Sequence, residues 1–293
     1  MKPVNFDYYA PASVDEALDT LAQLGYDGKV LAGGQSLIPA MNFRMARPTA
    51  LVDLNNISVL SYIKPTAENG LAIGTMTRVF TVENSPEVTK RFPLLPEVAK
   101  FIGHPPIRRR GTFGGAIAHA DPAGQLPSIA MVMNMKVLIK GKGKERWVDA
   151  PDLIIGPFMT VIEPDEMLVE VVIRPQPPKT GTKYVQISRQ SGGYAQSAIA
   201  SVVTLDEHNR CKEVRLVMIS LGEMPILSMK AGEILIGKEF SLDAVKTVAD
   251  EVVKSEIDPA NDLHATADYR RSITRALVVQ SLTEAFDQAK RGG

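Results

Sequence analysis

Apolar residues recur at every third or fourth position early in the chain, where Val14, Ala17, Leu18, Leu21 and Leu24 would share one face of a helix. Ser13 and Glu16 have the spacing of a capping box at its start, and Gly25 stands where a C-terminal stop belongs. The period then shortens. Residues 29–32 and 50–54 read as strands, the first running into Gly33-Gly34-Gln35-Ser36. Together these predict a compact α/β unit ending near Asn55. Residues 61–64 and 71–74 predict a hairpin closed through Glu68-Asn69-Gly70, because Asn-Gly readily takes the positive φ of a tight turn. Short helices are expected at 86–91 and 94–101, and a helical stretch at 125–133 leads to a second hairpin, 136–140 with 145–148.

The segment Arg174-Pro175-Gln176-Pro177-Pro178-Lys179-Thr180-Gly181 interrupts this pattern. Three prolines so close together favour an extended linker over a helix or a central strand. Beyond it, 183–188, 198–205 and 213–221 read as strands, with a polar turn at 206–210. Two helices close the chain. One follows Ser241, with Leu242, Val245, Val248, Ala249 and Val252 on one face, and the other spans 266–290. Strands followed by helices predict an α+β domain.

Charge and composition narrow the function. Lys plus Arg and Asp plus Glu both number 33 in 293 residues, so no global basic field draws the chain to nucleic acid. The single cysteine, Cys211, cannot form an intrachain disulfide, a CxxC pair, a four-cysteine zinc site or an iron–sulfur site; a buried, idle thiol is expected. The four histidines, His104, His119, His208 and His264, lack metal-ligand spacing. The longest mostly apolar stretch, 126–135, is far short of the ~20 residues of a membrane span. Met1-Lys2-Pro3-Val4-Asn5-Phe6-Asp7 carries no apolar leader, so a cytoplasmic protein is expected.

The candidate chemistry lies in two glycine-rich loops, Ala32-Gly33-Gly34-Gln35-Ser36 and Thr112-Phe113-Gly114-Gly115. Adjacent glycines let the backbone turn several N–H groups toward one point and bind an anion. Ser36 and Thr112 could each add a hydroxyl, and two such nests would suit a pyrophosphate. Neither loop is a phosphate loop ending in Gly-Lys-Ser/Thr, a GxGxxG turn or a GxSxG elbow. Arg108-Arg109-Arg110 reads either as an electropositive rim or as a solvated face. His104 and His119 read as hydrogen-bonding loop residues, and Asp121-Pro122 as a turn with an Asx cap. No acid–base or nucleophile constellation stands out.

These segments carry a resemblance. Leu31-Ala32-Gly33-Gly34-Gln35-Ser36-Leu37-Ile38-Pro39, Arg47-Pro48 and Val52-Asp53-Leu54-Asn55 resemble the start of the FAD-binding medium subunit of the molybdenum hydroxylases. That family includes the xanthine dehydrogenase and aerobic carbon monoxide dehydrogenase flavoproteins. Ile102-Gly103-His104-Pro105, Ile107-Arg108, Arg110-Gly111-Thr112-Phe113-Gly114-Gly115 and Ala118-His119-Ala120-Asp121-Pro122-Ala123 are similar to its second loop, and Ala267-Asp268-Tyr269-Arg270-Arg271 to the start of its last helix. The resemblance implies an α+β chain with the FAD-binding fold of vanillyl-alcohol oxidase. Two α/β subdomains, 1–57 and 58–176, would precede a C-terminal α+β domain of the carbon monoxide dehydrogenase flavoprotein type, 177–293.

It also implies the cofactor residues. Ala32, Gly33, Gly34, Gln35 and Ser36 would cradle one side of the FAD pyrophosphate, and Gly111, Thr112, Phe113, Gly114 and Gly115 the other. Ile102 and the strand Met167, Leu168 and Val169 would pack on the adenosine, and Tyr194 would lie against the isoalloxazine. Gln125 stands where the family usually has an acid for the ribityl hydroxyls, and Gln186 where relatives often carry Lys. The implied partners are a small subunit with 2Fe–2S clusters and a large subunit with the molybdenum cofactor, as a dimer of heterotrimers. The cysteine-ligated insertion of hydroxybenzoyl-CoA reductases is absent. A stand-alone flavin reductase or oxidase on this fold, and a scaffold that has lost FAD, are the alternative readings.

Overall fold

The computed structural model describes residues 1–292. Its first layer is a three-stranded parallel sheet of β1 (Asp7–Tyr9), β2 (Gly28–Leu31) and β3 (Ala50–Asp53), with β3 central. Helix α1 (Val14–Leu24) joins β1 to β2, and α2 (Leu37–Asn42) follows β2. The α1 cap forms as its spacing predicts, with the Ser13 hydroxyl accepting from the Glu16 N–H at 3.2 Å. The Glu16 carboxylate reaches one residue past the cap, to the Ala12 N–H at 2.8 Å. Gly25 ends the helix at φ 54°. Ala17, Leu18 and Leu21 of α1 are buried with Val52, Leu54 and Ile57.

The second layer begins with the hairpin β4 (Ile63–Pro65) and β5 (Leu71–Gly74), its turn made at Asn69 with φ 70°. A run of short helices follows: α3 (Val79–Glu83), α4 (Pro86–Arg91), α5 (Leu94–Ala99), α6 (Pro105–Arg110), α7 (Phe113–His119) and α8 (Gln125–Val132). The hairpin β6 (Lys136–Gly141) and β7 (Lys144–Asp149), the turn α9 (Ala150–Leu153), the small ribbon β8 (Ile154–Gly156) and β9 (Met159–Thr160), and β10 (Glu166–Ile173) complete it. The antiparallel sheet runs β4-β5-β10-β6-β7. Helices α3, α6 and α7 carry no clear apolar period and were not expected from the pattern; α5 stops at Ala99, short of the expected 101.

Strand β10 joins the first two layers. Met167 and Val169 enter the core beneath α1, whereas Leu168, Val171 and Ile173 face the helices. Strict alternation would put Val169 and Val171 on one face. A bulge between Leu168 and Glu170 reverses the parity, and the Val169 carbonyl accepts from the Thr75 N–H at 3.0 Å.

The last layer is an antiparallel sheet of β11 (Thr180–Ser188), β12 (Ala195–Leu205), β13 (Cys211–Ile219) and β14 (Ile226–Leu227), followed by α10 (Met229–Leu235), α11 (Leu242–Ser255) and α12 (Ala267–Arg291). Every residue of β12 is buried. Ala198, Ala200 and Val202 face the second layer, while Ile199, Val203 and Leu205 face α11 and α12. Ser197–Thr274 and Ser201–Ser281 hydroxyl pairs, each at 2.8 Å, fasten α12 to that strand. Strand β13 starts two residues before the expected 213 because Cys211 pairs with Leu205.

Candidate functional site

The first glycine loop leaves β2 and turns into α2. Gly34 sits at φ +71°, a backbone region that costs a side-chain-bearing residue about 1–2 kcal/mol. The N–H groups of Gly34, Gln35 and Ser36 find no acceptor among the described residues, and the Ser36 hydroxyl makes no cap bond. Three consecutive free donors on a left-handed turn form an anion nest. Gln35 braces the turn through its side chain, which donates to the Gly33 carbonyl at 3.3 Å.

The second loop is built differently. Its N–H groups, that of Thr112 excepted, are already used inside the protein: Gly111 to the Ile107 carbonyl at 2.7 Å, Phe113 to Thr77 at 2.8 Å and Gly114 to Thr75 at 3.0 Å. The Gly115 N–H is capped by the Thr112 hydroxyl at 3.2 Å. The two loops are therefore not equivalent nests: the first offers three consecutive free donors and the second only the Thr112 N–H. The glycines of the second loop serve packing. A Cβ on Gly114 would lie 2.0 Å from the Thr75 hydroxyl oxygen, and one on Gly115 would lie 3.0 Å from the Ala32 Cβ. Phe113 is fully buried in the helical core. The loops also touch directly, since a Cβ on Gly33 would come within 2.4 Å of the Arg110 carbonyl oxygen.

The arginine triplet is not one surface. Arg108 is buried and donates to Glu83 at 2.7 and 3.2 Å and to the Gly103 carbonyl at 3.1 Å. Arg109 lies over the Phe80 ring at 4.0 Å. Only Arg109 and Arg110 are exposed. Ile102 is half-buried against the helical core, and its carbonyl also accepts from Arg108 at 3.3 Å. The side chains of Met167, Leu168 and Val169 are spent on the two cores that flank β10.

Helix α7 leads from the loops to a second group of polar residues. Its seven residues span about 10 Å. His119 ends this helix instead of lying in a loop, and its ring meets Phe158 at 5.1 Å. Burial draws the imidazole down, against Asp121 and with Lys29, so it favours the neutral form. The Asp121 carboxylate accepts from the Ala123 N–H at 2.9 Å, the Asx turn suggested by the sequence. Gln125, on the first turn of α8, then donates to the Gln186 side-chain oxygen at 3.2 Å across the boundary to β11. That oxygen also accepts from the buried Tyr184 hydroxyl at 2.5 Å, and the Gln186 amide reaches the Gly193 carbonyl at 3.4 Å. Gln125 and Gln186 are thus partners in one network. Tyr194 lies in the turn before β12, 68% exposed, and its phenol is pushed up by desolvation and then by the Asp121 carboxylate. A Cβ on Gly192 would stand 2.8 Å from the Gly103 carbonyl, so this turn rests on the segment before α6.

Sequence reasoning missed Thr75, Thr77 and Arg78, and it gave Asn55, part of the resembling segment, no role. They lie outside both glycine motifs, and the tertiary fold brings them to the loops. The Asn55 amide donates to the Ala32 carbonyl at 2.8 Å.

Comparison with known proteins agrees over the whole chain. Residues 4–177 match the family described as FAD binding domain in molybdopterin dehydrogenase, and 182–285 match the CO dehydrogenase flavoprotein C-terminal domain. The chain is 37% identical to the 6-hydroxypseudooxynicotine dehydrogenase complex subunit alpha of Paenarthrobacter nicotinovorans, over 99% of this chain and 97% of that protein. Its structure superposes on a chain of carbon monoxide dehydrogenase from Hydrogenophaga pseudoflava with a TM-score of 0.94 at 35% identity, covering 98% of this chain and 99% of that one. Quinoline 2-oxidoreductase from Pseudomonas putida 86 gives a TM-score of 0.91 at 32% identity, covering 99% of both chains.

Proposed function

The chain belongs to the FAD-binding medium subunits of the molybdenum hydroxylase family, an oxidoreductase subunit, and from that premise we propose that it relays electrons from 2Fe–2S clusters of a small partner subunit through FAD to an external acceptor. Substrate oxidation would occur at the molybdenum cofactor of a large partner, the assembly being a dimer of heterotrimers.

The observation that carries this reading is the free run of N–H groups at Gly34, Gln35 and Ser36. An unsatisfied donor run next to a buried glycine contact fits a dianionic pyrophosphate. The Thr112 N–H, which has no protein acceptor among the described residues, would meet the pyrophosphate from the other side. Gln125 and Gln186 would face the ribityl and flavin end, each amide able to donate and accept. Tyr194, exposed beside them, would cover the ring. Ile102 and the strand Met167, Leu168 and Val169 would lie on the adenosine side. FAD, when bound, supplies the exchange between paired and single electrons. The protein's own part is to hold it, orient it and set the local charge. A chain with one cysteine cannot ligate an iron–sulfur cluster, so clusters that feed this FAD would belong to another polypeptide.

Purification with co-expressed partners tests the proposal. The expected complex holds one FAD per copy of this chain and bleaches with dithionite, while the isolated chain oxidises no substrate. A complex whose colour comes from iron–sulfur centres alone would refute it, and substrate turnover by the isolated chain would favour the stand-alone flavoenzyme.

A further inference from the structure

Arg78 follows β5 and precedes α3, with no part in either glycine motif. Its guanidinium donates through Nη2 to the Asn55 side-chain oxygen at 2.7 Å and through Nη1 to the Arg110 carbonyl. Asn55 in turn holds the Ala32 carbonyl at 2.8 Å. Ala32 opens the first loop, and Arg110 immediately precedes the second. The Arg110 carbonyl is also the atom that a Cβ on Gly33 would strike. One side chain therefore ties the two loops together where they touch.

The charge of Arg78 is not spent on an acid. It makes no ion pair among the described residues. Asp53, the carboxylate that acts on it, is occupied by the Asn55 N–H at 2.9 Å and the Tyr8 hydroxyl at 2.6 Å. Burial chiefly, and Arg110 next, disfavour the charged form, yet a guanidinium remains protonated. Two of its five N–H donors are used in these bonds. A partly desolvated cation that makes no ion pair among the described residues and is tied to both glycine loops is arranged for an anion.

We infer that Arg78 is a positioning residue of the pyrophosphate site, clamping the two glycine loops at their working separation through Asn55 and the Arg110 carbonyl and setting a positive charge behind the nest. This rests on the FAD-binding reading. The ligand class is a nucleoside diphosphate end, so ADP should sense the clamp as FAD does, whereas riboflavin should not.

The test is titration of the flavin-stripped, full-length chain with FAD, ADP and riboflavin, using Arg78→Gln, Arg78→Lys, Asn55→Ala and the Arg78→Gln/Asn55→Ala double variant. Each single variant should weaken FAD and ADP by about tenfold or more, and the double variant should be little worse than the weaker single one. Lysine should not rescue, because a point charge cannot reach both acceptors at once. Should Arg78→Gln fail to fold, exposed Asn55 still carries the test. Loss from Arg78→Gln that Arg78→Lys restores would leave charge without a clamp and overturn the inference. So would FAD and ADP affinities within about twofold of the parent in Asn55→Ala. A parent chain that binds neither FAD nor ADP would instead refute the FAD-binding reading itself, and the inference with it.

Discussion

Replacing Gly33 by alanine tests whether contact between the loops sets cofactor affinity. A Cβ there would stand 2.4 Å from the Arg110 carbonyl oxygen and 2.7 Å from the Gly111 Cα, both backbone atoms. Real Cβ contacts stay above 3.0 Å, so the loops must part by more than half an ångström. They are not free to do so cheaply. The Gly111 N–H is held by Ile107 at 2.7 Å, and its carbonyl accepts from Val79 at 3.0 Å. Overpacking of this kind costs about 1–3 kcal/mol of stability. The larger effect falls on binding: losing the alignment of one charge-assisted N–H bond removes about 1.5–3 kcal/mol, a loss of roughly 10- to 100-fold in FAD affinity. Urea denaturation of the flavin-free chain reads the first effect, and flavin fluorescence titration reads the second. Gly143→Ala is the control: Gly143 has φ +70° in the β6–β7 turn with no atom within 4 Å of its Cβ position, so only the backbone cost of about 1–2 kcal/mol applies. The reasoning fails if Gly33→Ala binds FAD like the parent chain.

Other expectations follow from the same geometry. Burial, aided by Glu213, pushes the Cys211 thiol from 9.0 up to about 12. The unfolded chain therefore releases this proton first, and stability should be unaffected below about pH 9 and fall as pH rises toward 12. Urea midpoints at pH 8 and 10 should diverge less in Cys211→Ala than in the parent; equal divergence would discount the thiol. Glu83→Ala strands the buried Arg108 charge and should cost about 3–5 kcal/mol, with Glu83→Leu/Arg108→Met recovering much of it in thermal denaturation. An unchanged melting temperature in Glu83→Ala would contradict the pairing. Gln125→Glu places an anion beside Gln186 and should lower the FAD midpoint potential by about 20 mV for each ~1 kcal/mol of added repulsion, measured by potentiometric titration. A shift to more positive potential would contradict that placement of the flavin end.

Much of this protein could be read from residue order alone. The Ser13–Glu16 cap and the Asn69 turn are local devices, decided by a few neighbouring residues, whereas the linker expected over 174–181 is shorter, because Thr180 and Gly181 pair with β12 as the start of β11. The glycine pairs and their flanking residues carried the family resemblance, and the single cysteine left this chain no ligand set for an iron–sulfur cluster. What residue order did not disclose was the division of labour. Gly34 and Gly114 look alike in sequence, yet one shapes a turn with free donors and the other lets a helix reach the Thr75 backbone. Arg108, Arg109 and Arg110 look like one basic strip, yet Glu83, reached through 25 intervening sequence steps, takes the first inward. Gln125 and Gln186, 61 positions apart, become one pair only when the last sheet docks on α8 through β12 and β13. Such roles are settled by which backbone or carboxylate the tertiary fold presents, because a donor's function depends on whether a nearer acceptor has already claimed it.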